Sequence, residues 1–153
     1  MGWDCSYLEH KEIVVEVDQV VGKQRARTVR ANGVTRSYTP HKTVEFESAI
    51  RNAWLDRAGT KYACFTGPVT VRVLYMRELA KSNPKYWGGR KDMGKPDVDN
   101  VLKSVLDALN GVAYKDDVQV FAAGVEKLER SGNGCGNLVV VRVSYFEETY
   151  EKE

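Results

Sequence analysis

No apolar run in these 153 residues approaches the ~18–20 that a membrane span requires, so no contact with a bilayer interior is expected. The opening MGWDCSYLEH lacks the apolar core of a secretory leader, and a cytoplasmic location is expected. Met1-Gly2 with Ser6 fits the loose N-myristoylation pattern, a match too short to carry weight. Cysteine is scarce: Cys5, Cys64 and Cys135 are too few and too dispersed for a zinc cluster or a disulfide framework, which leaves reduced thiols. Low-complexity tracts and internal repeats are also missing. What remains is one soluble globular domain spanning 1–153, since 42% hydrophobic residues suffice for a core and 29% charged residues for a surface. A chain of this length buries about 70% of its unfolded surface.

A net charge of +2 conceals a strong asymmetry. Residues 22–42, GKQRARTVRANGVTRSYTPHK, carry six Lys/Arg and no acid. Residues 77–95, RELAKSNPKYWGGRKDMGK, carry six bases against Glu78 and Asp92. Residues 147–153 are net −3. A phosphate backbone responds to local bases rather than to overall charge. A charge run is equally compatible with an ordinary solvated face.

EIVVEV (12–17) predicts a first strand, and the basic segment after it a loop or irregular hairpin. Thr43 is placed to cap a helix ending near Arg57, because Phe46, Ile50, Ala53, Trp54 and Arg57 recur at helical spacing before Gly59. VTVRVLYM (69–76) alternates as a strand. Residues 77–95 have Asn-Pro and Gly-Gly breakers and no period, and a loop of that length inside a domain is generally functional or disordered. A second helix ends at Asn110-Gly111, and VQVFAAGVEKL (118–128) and NLVVVRVSYF (137–146) close the chain as strands around the Gly-rich SGNGCGN turn. Strands interrupted by only two helices predict α+β: a single domain with a mixed β-sheet packed against two main helices.

The second helix begins at KPDVDN (95–100). Set out from Asp99, Val101, Leu102, Val105, Leu106, Ala108 and Leu109 share one face, and Asn100, Lys103, Ser104 and Asp107 share the other with Asp99. Positions two apart point in opposite directions within a helix but to one side in an extended segment. Pro96 disfavours helical dihedrals at Lys95, and Asp starts helices from an extended conformation. The helix is therefore predicted to begin near Asp99, with Asp97 on its extended lead-in and the two carboxylates side by side. One reading makes them a cap and a decoration of the positive helix end. The other makes them ligands of one ion, joined by Asp117 (or Asp116) if residues 110–115 travel back along the helix, which six extended residues at ~3.3 Å can just do. Three such carboxylates repel one another unless a hard cation such as Mg²⁺ neutralises them, and Mg²⁺ beside basic loops suits phosphodiester hydrolysis. Lys103, one turn after Asp99, could tie the acids together or hold a phosphate.

KPDVDNVLKSVLDALNGVAYKDDVQV (95–120) closely resembles the motif of RusA-type Holliday junction resolvases, small endodeoxyribonucleases of bacteria and their prophages. GKQRAR (22–27) and YTPHKTVEFE (38–47) resemble that family's basic N-terminal segment and first helix, and the likeness spans about residues 12–146. The resemblance implies an α+β homodimer in the bacterial or phage-infected cytoplasm. It would bind four-way junctions and make paired, Mg²⁺-dependent nicks during recombination, repair or phage DNA processing, with Mn²⁺ able to substitute. By matching position, Asp97, Asp99 and Asp117 would be the metal-binding catalytic carboxylates, Asp116 a supporting ligand and Lys103 the catalytic lysine. The expected DNA contacts are Lys23, Arg25, Arg27, Arg30, Arg36 and Lys42 in the first basic segment, with Lys85, Arg90, Lys91 and Lys95 in the second. Prolines common near Lys-x-Arg in relatives are lacking here, and Tyr86-Trp87 in the long loop reads either as a base-stacking wedge or as a loop anchor. Two other functions fit parts of the sequence: a junction-binding protein without cleavage, and a hydrolase of small phosphate compounds. The latter leaves both basic segments unexplained.

Overall fold

The computed structural model describes residues 1–23, 26–38 and 40–152; Arg25 and the side chain of Arg27 lie outside the described residues. Among the described residues six strands and two α-helices follow in the order β1 (Gly2–Val17), β2 (Arg27–Ala31), β3 (Val34–Tyr38), α1 (His41–Arg57), β4 (Val69–Met76), α2 (Val98–Leu109), β5 (Val120–Lys127) and β6 (Asn137–Glu151). The fold is α+β, with a mixed sheet and two helices. Strands β1, β6, β4 and β5 form the sheet in that order, antiparallel except for the parallel β4–β5 pair. Strands β2 and β3 form a separate two-stranded hairpin. Its turn is Asn32-Gly33, both at positive φ (52° and 76°), the backbone that this dipeptide adopts most readily.

The alternation expected in β4 is present: Val69, Val71, Val73 and Tyr75 are buried. They meet Val139, Val141, Val143 and Tyr145 of β6 beneath the apolar faces of α1 and α2. Each fully buried side chain of this kind contributes about 1.5–3 kcal/mol. In α1, Phe46, Ile50 and Trp54 point inward as the spacing predicts.

Three expectations need correction. Thr43 does not cap α1: Pro40 holds the cap position with φ −55° and ψ 140°, and the helix already runs from His41. The proline ring fixes φ and starts the helix three residues early, leaving Thr43 buried in the first turn. Ser104, expected on the polar face of α2, is fully buried, and its hydroxyl has no hydrogen-bond partner among the described residues. It sits at the edge of that face, where a small side chain tolerates burial. Strand β1 starts at Gly2 rather than near residue 12, because β6 runs out to Glu151 and pairs with it from Gly2↔Glu151 to Val17↔Asn137. The outer ribbon lies beyond the core, so its residues show no alternation, and aromatic contacts across it (Trp3–Tyr150 at 5.2 Å, Tyr7–Phe146 at 5.8 Å) hold it together.

Strands β5 and β6 are not hydrogen-bonded to each other, since β6 enters between β1 and β4. The Gly-rich connection passes over the end of β4 and is fastened there. The Glu78 carboxylate accepts from the Gly134 and Gly136 N–H groups (3.0 and 2.8 Å), and the Arg130 guanidinium donates to the Arg77 and Glu78 carbonyls (3.2 and 2.8 Å).

Candidate active site

Helix α2 begins as its sequence predicts. Asp97 is the extended N-cap residue (φ −70°, ψ 151°), and regular helix starts at Val98. Asp97 and Asp99 are exposed, and neither forms an ion pair with a described residue. They stand at the C-terminal edge of β4, where the buried Tyr75 hydroxyl donates to the Pro96 carbonyl at 2.9 Å. Burial is the main cause of a strongly raised Tyr75 pKa, with the negative fields of Asp92, Asp97 and Asp99 adding to it.

The other acidic group lies at the opposite end of the helix. Asp116 and Asp117 open a single 3-10 turn ahead of β5. The Asp116 side chain accepts from the Val118 N–H at 3.1 Å, while Gln119 returns a bond to the Asp116 N–H at 2.8 Å. Gln119 also donates to the Phe65 and Gly67 carbonyls (2.7 and 2.8 Å), which locks the turn to the body. Desolvation first, then the neighbouring Asp116 and Asp107 carboxylates, raise the Asp117 pKa above the usual carboxylate range. Asp107 and Asp117 both act on the buried Tyr114, whose hydroxyl donates to the Leu106 carbonyl.

Asp107 is eight residues beyond Asp99, or about 12 Å of helix. Val120, at the mouth of β5, pairs with Val69 at the start of β4, six residues or about 20 Å from Tyr75. Within one chain Asp117 therefore does not join Asp97 and Asp99. Among the described residues no three His, Cys, Asp or Glu side chains are placed to share a metal ion. The expected return of residues 110–115 along the helix does not occur. The chain instead turns tightly at Gly111 (φ 80°), Val112 and Ala113 donate to the Leu109 carbonyl, and Ala113 and Tyr114 bury beneath the helix end. Burial of that aromatic ring holds the segment at the C-terminal end of α2.

The donor chemistry nevertheless suits a hard cation. Asp97 and Asp99 offer exposed carboxylate oxygens that no described residue pairs, and at the other end burial, then the Asp116 and Asp107 carboxylates, raise the Asp117 pKa. Lys103 is exposed between the two acidic groups, with no ion pair to a described residue.

The expected DNA contacts divide by environment. Lys23 bridges Glu47 (2.8 Å) and Asp107 (2.9 Å), clamping the first basic segment to α1 and α2. Burial opposes its charge, but the two carboxylates outweigh that and raise its pKa. The approach at this point is close: a Cβ on Gly22 would lie 2.9 Å from Asn100 Cβ and 3.0 Å from Pro96 Cβ. Lys23 and Asp107 are thus engaged with each other. Arg30 and Arg36 are exposed on the hairpin, and Lys42, Lys85 and Lys95 are exposed elsewhere. Arg90 stacks over Trp87 at 5.2 Å, and Lys91 pairs with Glu129 at 2.6 Å.

One important pair gave no signal in the sequence. Asp92, whose side chain is 1% exposed, takes two bonds from the Arg77 guanidinium at 2.7 and 2.6 Å. Burial pushes against its ionisation, but Arg77 and the Gly94 N–H hold its carboxyl below the usual range. The partners are fifteen residues apart in an aperiodic segment, so only the folded chain shows that they belong together.

Residues 19–142 match the family described as Endodeoxyribonuclease RusA. The chain belongs to the RusA family. It is 35% identical over 115 residues to a protein of Bacillus subtilis (strain 168) described as the uncharacterized protein YqaN, covering 70% of this chain and 80% of YqaN. RusA membership places endodeoxyribonuclease chemistry in this fold. Among the described residues no helix is long and apolar enough to cross a membrane.

Proposed function

We propose that this RusA-family chain is a Mg²⁺-dependent, structure-selective endonuclease that resolves Holliday junctions by paired symmetric nicks. It acts as a homodimer in which each active centre takes Asp97 and Asp99 from one copy and Asp117 from the other. The observation that carries this reading is the placement of two acidic half-sites at opposite ends of α2. A two-fold dimer that runs one α2 antiparallel to the other sets each N-terminal half-site against a C-terminal one. Two complete centres result, related by the symmetry that two nicks in a four-way junction require.

Asp97, Asp99 and Asp117, with Asp116 beside them, would hold the ion, and Mn²⁺ offers the same oxygen-ligand chemistry. When bound, Mg²⁺ polarises the scissile phosphoryl oxygen and lowers the pKa of the attacking water. Lys103 presents a compact, mobile positive charge to the phosphate that is cut. Arg30, Arg36, Lys42, Lys85 and Lys95 contact the DNA backbone and set its salt-dependent affinity.

The half-site separation within one chain also favours a second reading, a junction-binding protein that does not cut. Incubating the protein with a synthetic four-way junction, with Mg²⁺ or with chelator, separates the two. Symmetric nicking that needs the metal and is lost in Asp97→Asn and in Asp117→Asn supports the nuclease. Tight binding by the parent without nicks supports the alternative.

A further inference from the structure

The long segment between β4 and α2 carries two adjacent aromatics, and the structure gives them different work. A 3-10 turn spans Lys85–Trp87, closed by bonds from Trp87 N–H to the Pro84 carbonyl (3.1 Å) and Gly88 N–H to the Lys85 carbonyl (3.2 Å). Trp87 is half-buried, stacks on Arg90 and helps line a small surface cavity with Met93, Gly94 and Arg130. Tyr86 is 83% exposed and has no ring or hydrogen-bond partner among the described residues.

The loop does not need Tyr86 to stay in place. Leu79 N–H donates to the Ser131 carbonyl (2.8 Å), Gly89 N–H to the Arg130 carbonyl (2.8 Å) and Arg130 N–H to the Arg90 carbonyl (2.9 Å). The Arg77–Asp92 pair and the buried Leu79 complete the anchoring. Both acids of the segment turn inward, Glu78 to backbone N–H groups and Asp92 to Arg77. The outward face is left to Lys81, Lys85, Arg90 and Lys95, all exposed. Trp87 borders Gly94, which is three residues, at most about 11 Å of chain, from Asp97. An exposed ring with no partner among the described residues therefore stands among cations on the anchored loop that leads into Asp97.

We infer that Tyr86 stacks on a base exposed at the branch point of the junction, and so makes this nuclease selective for branched over linear DNA. The inference rests on the branched-DNA reading above. In a continuous duplex both faces of every base pair are covered, and inserting a ring costs a few kcal/mol of unstacking per step. At a branch point the pairs bordering the crossover can present a free π-face, and an aromatic side chain stacks on it whatever the base. The surrounding lysines and Arg90 neutralise the phosphates that converge there.

The test uses the full chain in chelator, where no cutting occurs, with a four-way junction carrying 2-aminopurine at the crossover and a linear duplex of the same sequence. Tyr86→Ala is expected to weaken junction binding on the order of ten-fold. It should also abolish the fluorescence change at the crossover, while leaving duplex binding and the melting temperature unchanged. Tyr86→Phe, which keeps the ring, should behave as the parent. Trp87→Ala serves as the contrast and should lower the melting temperature. Equal junction binding by the parent and Tyr86→Ala overturns the inference, as does an equal loss on linear duplex. If the parent nicks junctions with Mg²⁺ and Tyr86→Ala matches it in binding, this inference alone falls. A parent that neither binds nor nicks junctions removes the proposed function and this inference together.

Discussion

The two ends of α2 carry the same kind of side chain in opposite circumstances. At the N-terminal end Asp97 and Asp99 are exposed to solvent and form no ion pair with a described residue. At the C-terminal end Asp107 is held by Lys23, Asp116 is tied into its own turn and Asp117 is partly desolvated with a raised pKa. Carboxylates near a helix N-terminus are favoured by the helix dipole. Those clustered at the far end are not, and among the described residues Lys23 is the one cation that pairs with them, through Asp107. The proposed function rests on that difference: it reads the first group as free to take a cation and the second as the complement that a partner copy would supply.

The largest effect should separate the free carboxylates from the engaged ones. Asp97→Asn is expected to reduce Mg²⁺-dependent junction nicking by more than about 100-fold, the upper range for losing only an outer-shell partner of a metal ligand. Its melting temperature should hold, since exposed substitutions usually stay within about 0.5 kcal/mol. Loss of folding instead of activity would erase the contrast between the two ends.

Asp92→Asn acts next. It breaks a pair whose acid is 1% exposed and should destabilise the fold by about 3 kcal/mol in urea unfolding. The folded-state pKa of Asp92 is lowered, so its contribution is complete above the ordinary carboxylate value of about 3.9 and is lost as pH falls through the folded value. The parent's urea midpoint should therefore fall more between pH 7 and pH 3 than that of Asp92→Asn.

Lys23→Ala sharpens the comparison from the other side. With its side chain 26% exposed, removing the clamp should cost about 1 kcal/mol of stability while junction affinity stays near that of the parent. A large loss of DNA binding at constant stability would return Lys23 to the DNA contacts. Lys95→Ala should have the smallest effect. It keeps the fold and lowers the slope of log affinity against log salt by about 1, with all DNA sequences weakened alike.

The sequence disclosed what depends on local pattern. The start of α2, the extended Asp97, the alternation of β4 and the inward face of α1 all follow from spacing and from proline chemistry. Thr43 and Ser104 depart from their patterns for different reasons: Pro40 starts α1 ahead of Thr43, and Ser104 is buried at the edge of the polar face of α2. The outer half of β1 was hidden because residues 2–10 pair with β6 beyond the core and need no apolar alternation. The Arg77–Asp92 pair and the course of residues 110–115 depend on contacts distant along the chain. The motif across residues 95–120 singled out Asp97, Asp99 and Asp117 without showing that they stand at opposite ends of one helix.

The central claim, that each active centre is shared between copies, is tested most directly by mixing two inactive proteins. Asp97→Asn and Asp117→Asn are combined, allowed to exchange subunits, and assayed on a four-way junction with Mg²⁺. Sharing predicts recovered cutting, because each mixed dimer regains one intact centre, and the product should carry a single nick rather than a symmetric pair. If every centre lay within one chain, the mixture would stay as inactive as its components, and that result would contradict the account.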